Sequence, residues 1–118
     1  MQNVKFESLK GKTLVDVKVG IETIEFETLE GEKFKMFHNQ DCCESVSIEE
    51  IIGDIKDLLN VPILLAEEVI QQAGPEVTAE SATWTFYKLS TIKGSVTIRW
   101  YGESNGYYSE SVDFRRVK

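Results

Sequence analysis

The stretch TWTFYKLSTIKGSVTIRWY, from Thr83 to Tyr101, decides the class of fold. Along its first half the side chains alternate with the period of two that is typical of a β-strand. This alternation places Trp84 and Phe86 on one face and Tyr87 on the other. Lys93-Gly94 then predicts a turn. The stretch therefore predicts two neighbouring antiparallel strands that are joined by this turn.

The returning strand has an apolar face and a polar face. Arg99 and Tyr101 share the polar face, and the apolar side chains opposite them are those of Val96, Ile98 and Trp100. The dipeptide Asn105-Gly106 is a second turn signal. Residues 107–114 are then predicted to form a closing strand.

Three more strands are predicted earlier in the chain, over residues 14–19, 23–29 and 33–38. The apolar side chains that alternate along the second and third are expected to be buried: Ile24, Phe26, Phe34 and Met36. A tight hairpin connection at Glu30-Gly31-Glu32 joins these two strands. His38 continues the same alternation, so its side chain is expected to point inward.

Residues 47–59 predict one amphipathic helix. Ser47 is a typical N-cap residue, and Glu50 follows three positions later, as in a capping box. Apolar side chains then recur at helical spacing: Ile48, Ile51, Ile52, Ile55, Leu58 and Leu59. Residues 62–73 leave two alternatives open, a second helix that begins at Pro62 or a strand that leads into the final sheet. The expected fold is α+β, with about six mainly antiparallel strands curled around one helix in a single domain, 1–118.

Charge and composition narrow the classes of function. Thirteen Lys and Arg against twenty Asp and Glu give a net charge of −7, so the average field repels phosphate backbones and disfavours nucleic-acid binding. No apolar run reaches the roughly 18 residues needed to cross a bilayer. The first residues lack the pattern of a secretory signal. We therefore expect a cytoplasmic protein without membrane contact.

The segment His38–Glu44 combines one imidazole, the carboxylates of Asp41 and Glu44, and the thiols of Cys42 and Cys43. A Cys–His nucleophile pair or a metal site is chemically conceivable there. However, adjacent cysteines point in different directions in most backbones and rarely bridge each other. The alternative is a structural loop whose carboxylates accept hydrogen bonds at the helix start. No catalytic residue, metal ligand or cofactor is assigned.

A second group of candidate binding residues surrounds the later turn, namely Tyr101, Asn105, Tyr107, Tyr108 and Glu110. The tyrosines offer stacking surfaces beside hydrogen-bonding groups, a mixture that suits a planar ligand or a protein interface. An aromatic core with hydroxyls that reach solvent would use the same residues. Arg99 is expected to form an ion pair with Glu110 across neighbouring strands, or to meet a phosphate or carboxylate of a ligand.

Two segments carry a family resemblance, HNQDCCESV at residues 38–46 and SNGYYSESV at residues 104–112. WTFYK at 84–88 and TIRWYG at 97–102 support it. Together they resemble the signatures of a family of uncharacterised small domains from bacteriophages and prophages. The resemblance covers nearly the whole chain and implies an origin rather than an activity. By analogy, small acidic phage proteins often inhibit host defence systems, either by covering a host protein or by sequestering a nucleotide signal.

These observations predict a non-enzymatic binding protein of phage or prophage origin that acts on a component of the bacterial host cell. In one form the tyrosines stack a small ligand, Arg99 meets its charge, and the loop His38–Glu44 completes the pocket. In the other form the chain covers a host protein. The competing prediction is a metal- or thiol-dependent enzyme that uses the same loop. Strand edges also leave a homo-oligomer open.

The partner of His38 separates these predictions. A carboxylate or backbone partner would leave the loop structural, whereas a thiolate at hydrogen-bonding distance would favour the enzyme.

Overall fold

The computed structural model describes residues 2–74 and 79–118. This part of the chain forms two sheets in which every neighbouring pair of strands is antiparallel. The strands are β1 (Gln2–Asn3), β2 (Leu14–Val19), β3 (Thr23–Thr28), β4 (Lys33–Phe37), β5 (Ser45–Ile52), β6 (Leu65–Gln72), β7 (Ser81–Thr91), β8 (Gly94–Ser104) and β9 (Asp113–Arg116). The five-stranded sheet has the order β1-β9-β4-β3-β2, and the four-stranded sheet has the order β5-β8-β7-β6.

The only helical elements of the described residues are two short 3-10 helices, Phe6–Leu9 and Ile55–Leu58. No helix among these residues is long and apolar enough to cross a membrane. The predicted α+β class is therefore wrong, because the described chain is nearly all β.

The two sheets share one hydrophobic core. Phe6, which precedes β2, lies between them, with ring centroids 4.7 Å from Tyr87 and 5.3 Å from Phe114. The indole N–H of Trp100 on β8 donates to the sulfur of Met36 on β4 at 3.2 Å. These contacts join the four-stranded sheet to the five-stranded one. The side chains predicted to be inward on β3, β4 and the apolar face of β8 are all buried.

The predicted helix over residues 47–59 is replaced by β5 and the second 3-10 helix. A β-bulge explains why the spacing looks helical. Ile48 lies opposite Trp100 and Ile51 lies opposite Ile98, but the register shifts between them at Glu49. The extra residue of a bulge lets two side chains three positions apart face the same side of a strand. An i, i+3 apolar pair therefore arises here without a helix.

Two further boundaries differ from the sequence prediction. The strand alternative for residues 62–73 is confirmed as β6, paired along its whole length with β7, and the second helix is wrong. The closing strand predicted over 107–114 is restricted to β9, and the residues before it form a long loop. β9 returns to the five-stranded sheet between β1 and β4, so this loop crosses from one sheet to the other.

Replacing Gly53 with alanine tests whether this segment is β5 followed by a turn or the predicted helix, because the two structures predict opposite changes in the free energy of unfolding. Gly53 directly follows β5 with φ +108°, and an added Cβ would lie 2.3 Å from the carbonyl oxygen of Ser95. We expect Gly53→Ala to lower the free energy of unfolding by at least about 2 kcal/mol, because the backbone must both keep a left-handed conformation and move away from that oxygen. In the interior of a helix the same change would raise it by about 1 kcal/mol.

Gly31→Ala is the matched control, measured by urea unfolding in the same buffer. Gly31 also has a positive φ, +90°, but an added Cβ there would meet no atom within 4 Å. Gly31→Ala should lower the free energy of unfolding by about 1 kcal/mol, because alanine disfavours this backbone conformation. A Gly53→Ala protein as stable as the parent would contradict the strand-and-turn structure.

Candidate functional site

The loop His38–Glu44 is organised by the carboxylate of Glu44, whose side chain is 1% exposed. Its oxygens accept hydrogen bonds from the backbone N–H of Asp41 at 3.2 Å, the backbone N–H of Cys42 at 3.0 Å and the side-chain amide of Gln40 at 3.1 Å. Burial by itself raises the pKa of this carboxyl, but the hydrogen bonds together hold the pKa below its usual range. The protein's own donors therefore surround Glu44.

The His38 side chain is 4% exposed and points inward, as expected from the alternation along β4. Its Nδ1 lies 2.7 Å from the carbonyl oxygen of Ser111, and its Nε2 lies 3.2 Å from Glu44 Oε2. Both neighbouring oxygens can accept a hydrogen bond. The partners are a carboxylate and a backbone carbonyl, and this favours a structural loop.

The adjacent residues Cys42 and Cys43 are joined by a disulfide. The expectation that these adjacent cysteines do not bridge each other is therefore wrong. Both residues are exposed, in a turn that hydrogen bonds to Glu44 hold from one side. While bonded, neither sulfur is the thiolate that a nucleophile or a metal site requires. Within the described ranges no group of three or more His, Cys, Asp or Glu side chains is arranged to hold a metal ion.

A second shielded carboxylate, that of Glu110, anchors the loop between β8 and β9. The hydroxyls of Thr83 and Ser104 donate to it at 2.7 and 2.5 Å. Burial raises the pKa of Glu110, but the hydroxyl groups of Ser104, Ser81 and Thr83 together bring the pKa below its usual range. Glu110 is thus held by neighbouring hydroxyls and does not form the predicted ion pair with Arg99.

Gly102 allows this loop to pack closely on β8. A Cβ at this position would lie 2.8 Å from the carbonyl oxygen of Glu110 and 3.0 Å from a methyl carbon of Val46. Any larger residue would push the loop away from the strand. The glycine in the sequence string 97–102 therefore has a packing reason.

The two anchored loops face each other across an open cleft of about 400 Å³. One wall is Asn39, Gln40, Asp41 and Glu44, and the other is Tyr107, Tyr108 and Ser109. The structure thus brings together part of both groups of predicted site residues. Tyr107 is 91% exposed, so in this conformation the cleft encloses little aromatic surface.

A different cluster lies on the outer face of the four-stranded sheet, turned away from the core. Trp84 lies opposite Tyr101, and Phe86 lies opposite Arg99 two positions further along β7, on the same face. The Trp84 ring centroid is 4.6 Å from that of Tyr101 and 6.3 Å from that of Phe86. The Arg99 guanidinium lies 4.9 Å from the Trp84 ring centroid. We call these four half-buried side chains the aromatic face.

Carboxylates border the aromatic face. Arg99 Nη1 donates to Glu50 Oε1 of β5 at 2.7 Å, and this is the cross-strand partner that replaces the predicted Glu110. The Tyr101 hydroxyl donates to Glu103 at 3.1 Å. Burial first, then this hydrogen bond and the charges of Glu103, Glu110 and Glu49, raise the pKa of Tyr101 above its usual range. We call Glu49, Glu50 and Glu103 the acidic rim.

The predicted single pocket therefore divides into two places. Tyr107 and Tyr108 line the cleft, whereas Arg99 and Tyr101 belong to the aromatic face. Asn105 is part of neither; its side-chain oxygen accepts the N–H of Tyr107 at 3.0 Å and shapes the turn.

Sequence reasoning missed Trp84 and Phe86 as site residues. The signal was present, because Trp84 and Phe86 share one strand face and Arg99 and Tyr101 share one face of the next strand. The turn lies at Ile92-Lys93, one residue before the predicted position. Moving the turn by one residue shifts the pairing between β7 and β8 by two positions. The same side chains therefore still share one face of each strand. Pairing the two faces would have identified the cluster.

Replacing Glu44 with glutamine should remove an acid-dependent part of the stability. The folded-state pKa of Glu44 is lowered, so its ionised form contributes stability that is fully present above the unfolded-state pKa of about 4.3 and is lost as pH falls through the folded-state pKa. We expect Glu44→Gln to be less stable than the parent at neutral pH. The difference in urea midpoint should shrink on acidification through and below that value.

Glu30→Gln is the control for this titration, since Glu30 is an exposed turn residue. It should change the urea midpoint little at any pH. A Glu44→Gln deficit that is the same at neutral and acidic pH would mean that the charge of Glu44 does not stabilise the loop.

Comparison with known proteins identifies the family and no activity. No curated protein and no solved structure matches the chain. One family model, described as "Domain of unknown function (DUF7448)", matches residues 7–114. The expectation of an uncharacterised domain family is thereby confirmed, and the match covers most of the chain. The chain belongs to the family of the domain of unknown function DUF7448.

Proposed function

We propose that this chain is a non-enzymatic binding protein that covers a partner protein with its aromatic face. The observation that carries the proposal is the cluster of Trp84, Phe86, Tyr101 and Arg99 on a sheet face that points away from the core. Trp, Tyr and Arg are the residue types that most often dominate binding energy at protein interfaces. Large side chains kept on an outer face in mutual contact present a rigid apolar surface at low entropic cost.

The acidic rim indicates the chemistry of the partner. Glu50 and Glu103 accept hydrogen bonds from Arg99 and Tyr101 of the aromatic face, the charge of Glu49 acts on Tyr101, and the whole chain carries a net charge of −7. A partner with exposed Arg or Lys side chains would meet complementary charge at the rim and could stack its cations on the rings. Such a partner would be steered toward the chain before contact, with an on-rate that falls as salt rises.

The origin and place of action follow from the resemblance described above. The strings at residues 38–46 and 104–112 support a phage or prophage source, and with it a partner in the cytoplasm of the bacterial host. An acidic protein that occupies a basic host surface would act as an inhibitor of that host component.

The cleft between the two anchored loops supports a second candidate, a small planar ligand bound by Tyr107 and Tyr108. Its volume of about 400 Å³ is in the range of small-molecule sites. It ranks second because Arg99 and Tyr101 lie elsewhere and Tyr107 is 91% exposed. The enzyme alternative has less support, since His38 is bonded to Glu44 and Ser111 and the two sulfurs are bonded to each other.

The proposal is tested by capture of partners from a bacterial lysate with parent, Trp84→Ala and Tyr107→Ala proteins, followed by native mass spectrometry. We expect the parent to retain one protein in a fixed stoichiometry. Trp84→Ala should weaken the affinity for that purified partner by at least about 30-fold, as for a central interface residue worth about 2 kcal/mol.

Tyr107→Ala is the matched aromatic control, because it removes an exposed ring outside the aromatic face. It should bind the partner like the parent. A partner retained equally by Trp84→Ala, or a parent protein that binds no other protein, would contradict the proposal. A small molecule that the parent retains and Tyr107→Ala loses would favour the second candidate.

A further inference from the structure

The outer face of the five-stranded sheet carries a like-charge pair. Lys35 on β4 lies directly opposite Arg115 on β9. Like charges that face each other across two strands destabilise a sheet. In a chain with 20 acidic side chains and 13 basic ones, two cations in direct opposition need an explanation.

Phe37 holds both cations in place. Lys35 Nζ lies 5.1 Å from the Phe37 ring centroid, and the Arg115 guanidinium lies 5.3 Å from it. Each cation is within the distance at which it is attracted to the ring. One aromatic side chain therefore keeps two positive groups close together on the surface.

Within residues 2–74 and 79–118, neither Lys35 nor Arg115 forms an ion pair with a carboxylate at 4 Å or less. The next cations along β4 and β9 do have partners, because Lys33 pairs with Glu27 and Arg116 pairs with Glu32. Glu25 is the neighbour of Lys35 on β3, but forms an ion pair with neither cation.

Asp113, the neighbour of Phe37 on β9, also forms no ion pair with Lys35 or Arg115. In addition, Arg115 Nε is shielded from solvent and has no hydrogen-bond acceptor. Lys35 and Arg115 are half-buried and form no ion pair within the described residues, so an external acceptor can approach the Lys35 ammonium and the terminal guanidinium nitrogens of Arg115 rather than Nε.

We propose that Lys35 and Arg115, held by Phe37, form a binding site for a phosphate-type oxyanion. A tetrahedral oxyanion offers several acceptor oxygens, which suit the forked donors of arginine and the ammonium of lysine together. Binding would also remove the repulsion between the two cations. The site lies on the opposite sheet from the aromatic face and does not depend on the protein partner proposed above.

The phosphate could be free or part of a nucleotide, and two titrations distinguish these sources. Inorganic phosphate and a nucleoside monophosphate are added separately to the full chain at constant ionic strength. Two-dimensional NMR then follows the Arg115 Nε–H signal and the backbone amides of β4 and β9. We expect saturable shifts of these signals with inorganic phosphate. Tighter binding of the nucleotide would identify a phosphate ester as the ligand, and equal binding would identify the free anion.

Lys35→Gln and Arg115→Gln should each weaken phosphate binding at least about tenfold, the loss expected for one charge-assisted contact. Lys88→Gln removes one exposed charge from β7 on the other sheet and should leave the binding unchanged. The unaltered spectrum of the remaining residues checks that each variant is folded. Shifts that do not saturate, or that persist unchanged in Arg115→Gln, would overturn the proposal.

Discussion

The structure depends on β8, which is paired along its length with β7 on one side and with β5 on the other. Its alternate side chains serve two purposes. Ile98 and Trp100 are buried in the core, where Trp100 reaches across to Met36 of the other sheet. Arg99 and Tyr101 face outward and form half of the aromatic face. One strand therefore connects the stability of the fold to the proposed binding surface, because a shift of its register by one residue would exchange the two faces.

Two hydrogen-bonded carboxylates, those of Glu44 and Glu110, organise the connections between the two sheets. The chain must leave β4 for the second sheet and later return from β8 to β9, and both connections contain many backbone N–H groups. Glu44 accepts backbone N–H groups of the first connection, and Glu110 ties the second connection to the hydroxyls of Thr83 on β7 and Ser104 at the end of β8. His38 bonds to Glu44 and to the carbonyl of Ser111, so it ties the two connections together. His38, Glu44 and Glu110, which the sequence offered as candidate binding residues, thus stabilise the connections between the sheets through hydrogen bonds.

The two outer faces differ in electrostatic character. The outer face of the four-stranded sheet combines stacked rings with an acidic rim, and that of the five-stranded sheet combines one ring with two cations that form no ion pair among the described residues. Both arrangements keep cations near aromatic rings, Arg99 in an ion pair with Glu50 and Lys35 and Arg115 without one among the described residues. We interpret both as binding features, since a surface that served solubility alone would have no reason to oppose Lys35 and Arg115.

The sequence by itself determined the β-strands of period two, their buried side chains, and the two faces of the hairpin between Thr83 and Tyr101. All three features depend on the alternation of apolar and polar side chains, which is visible in the sequence of each strand alone. It also singled out the two loops, and it left their role open between a binding site and structural hydrogen bonding. Only the tertiary structure decided that residues 45–52 form β5. The bulge at Glu49 gives these residues an apolar spacing like that of a helix, and only the pairing with β8 distinguishes a bulged strand from a helix. The partners of His38, Glu110 and Arg99 were likewise decided by contacts between residues distant in the chain, which no local pattern records.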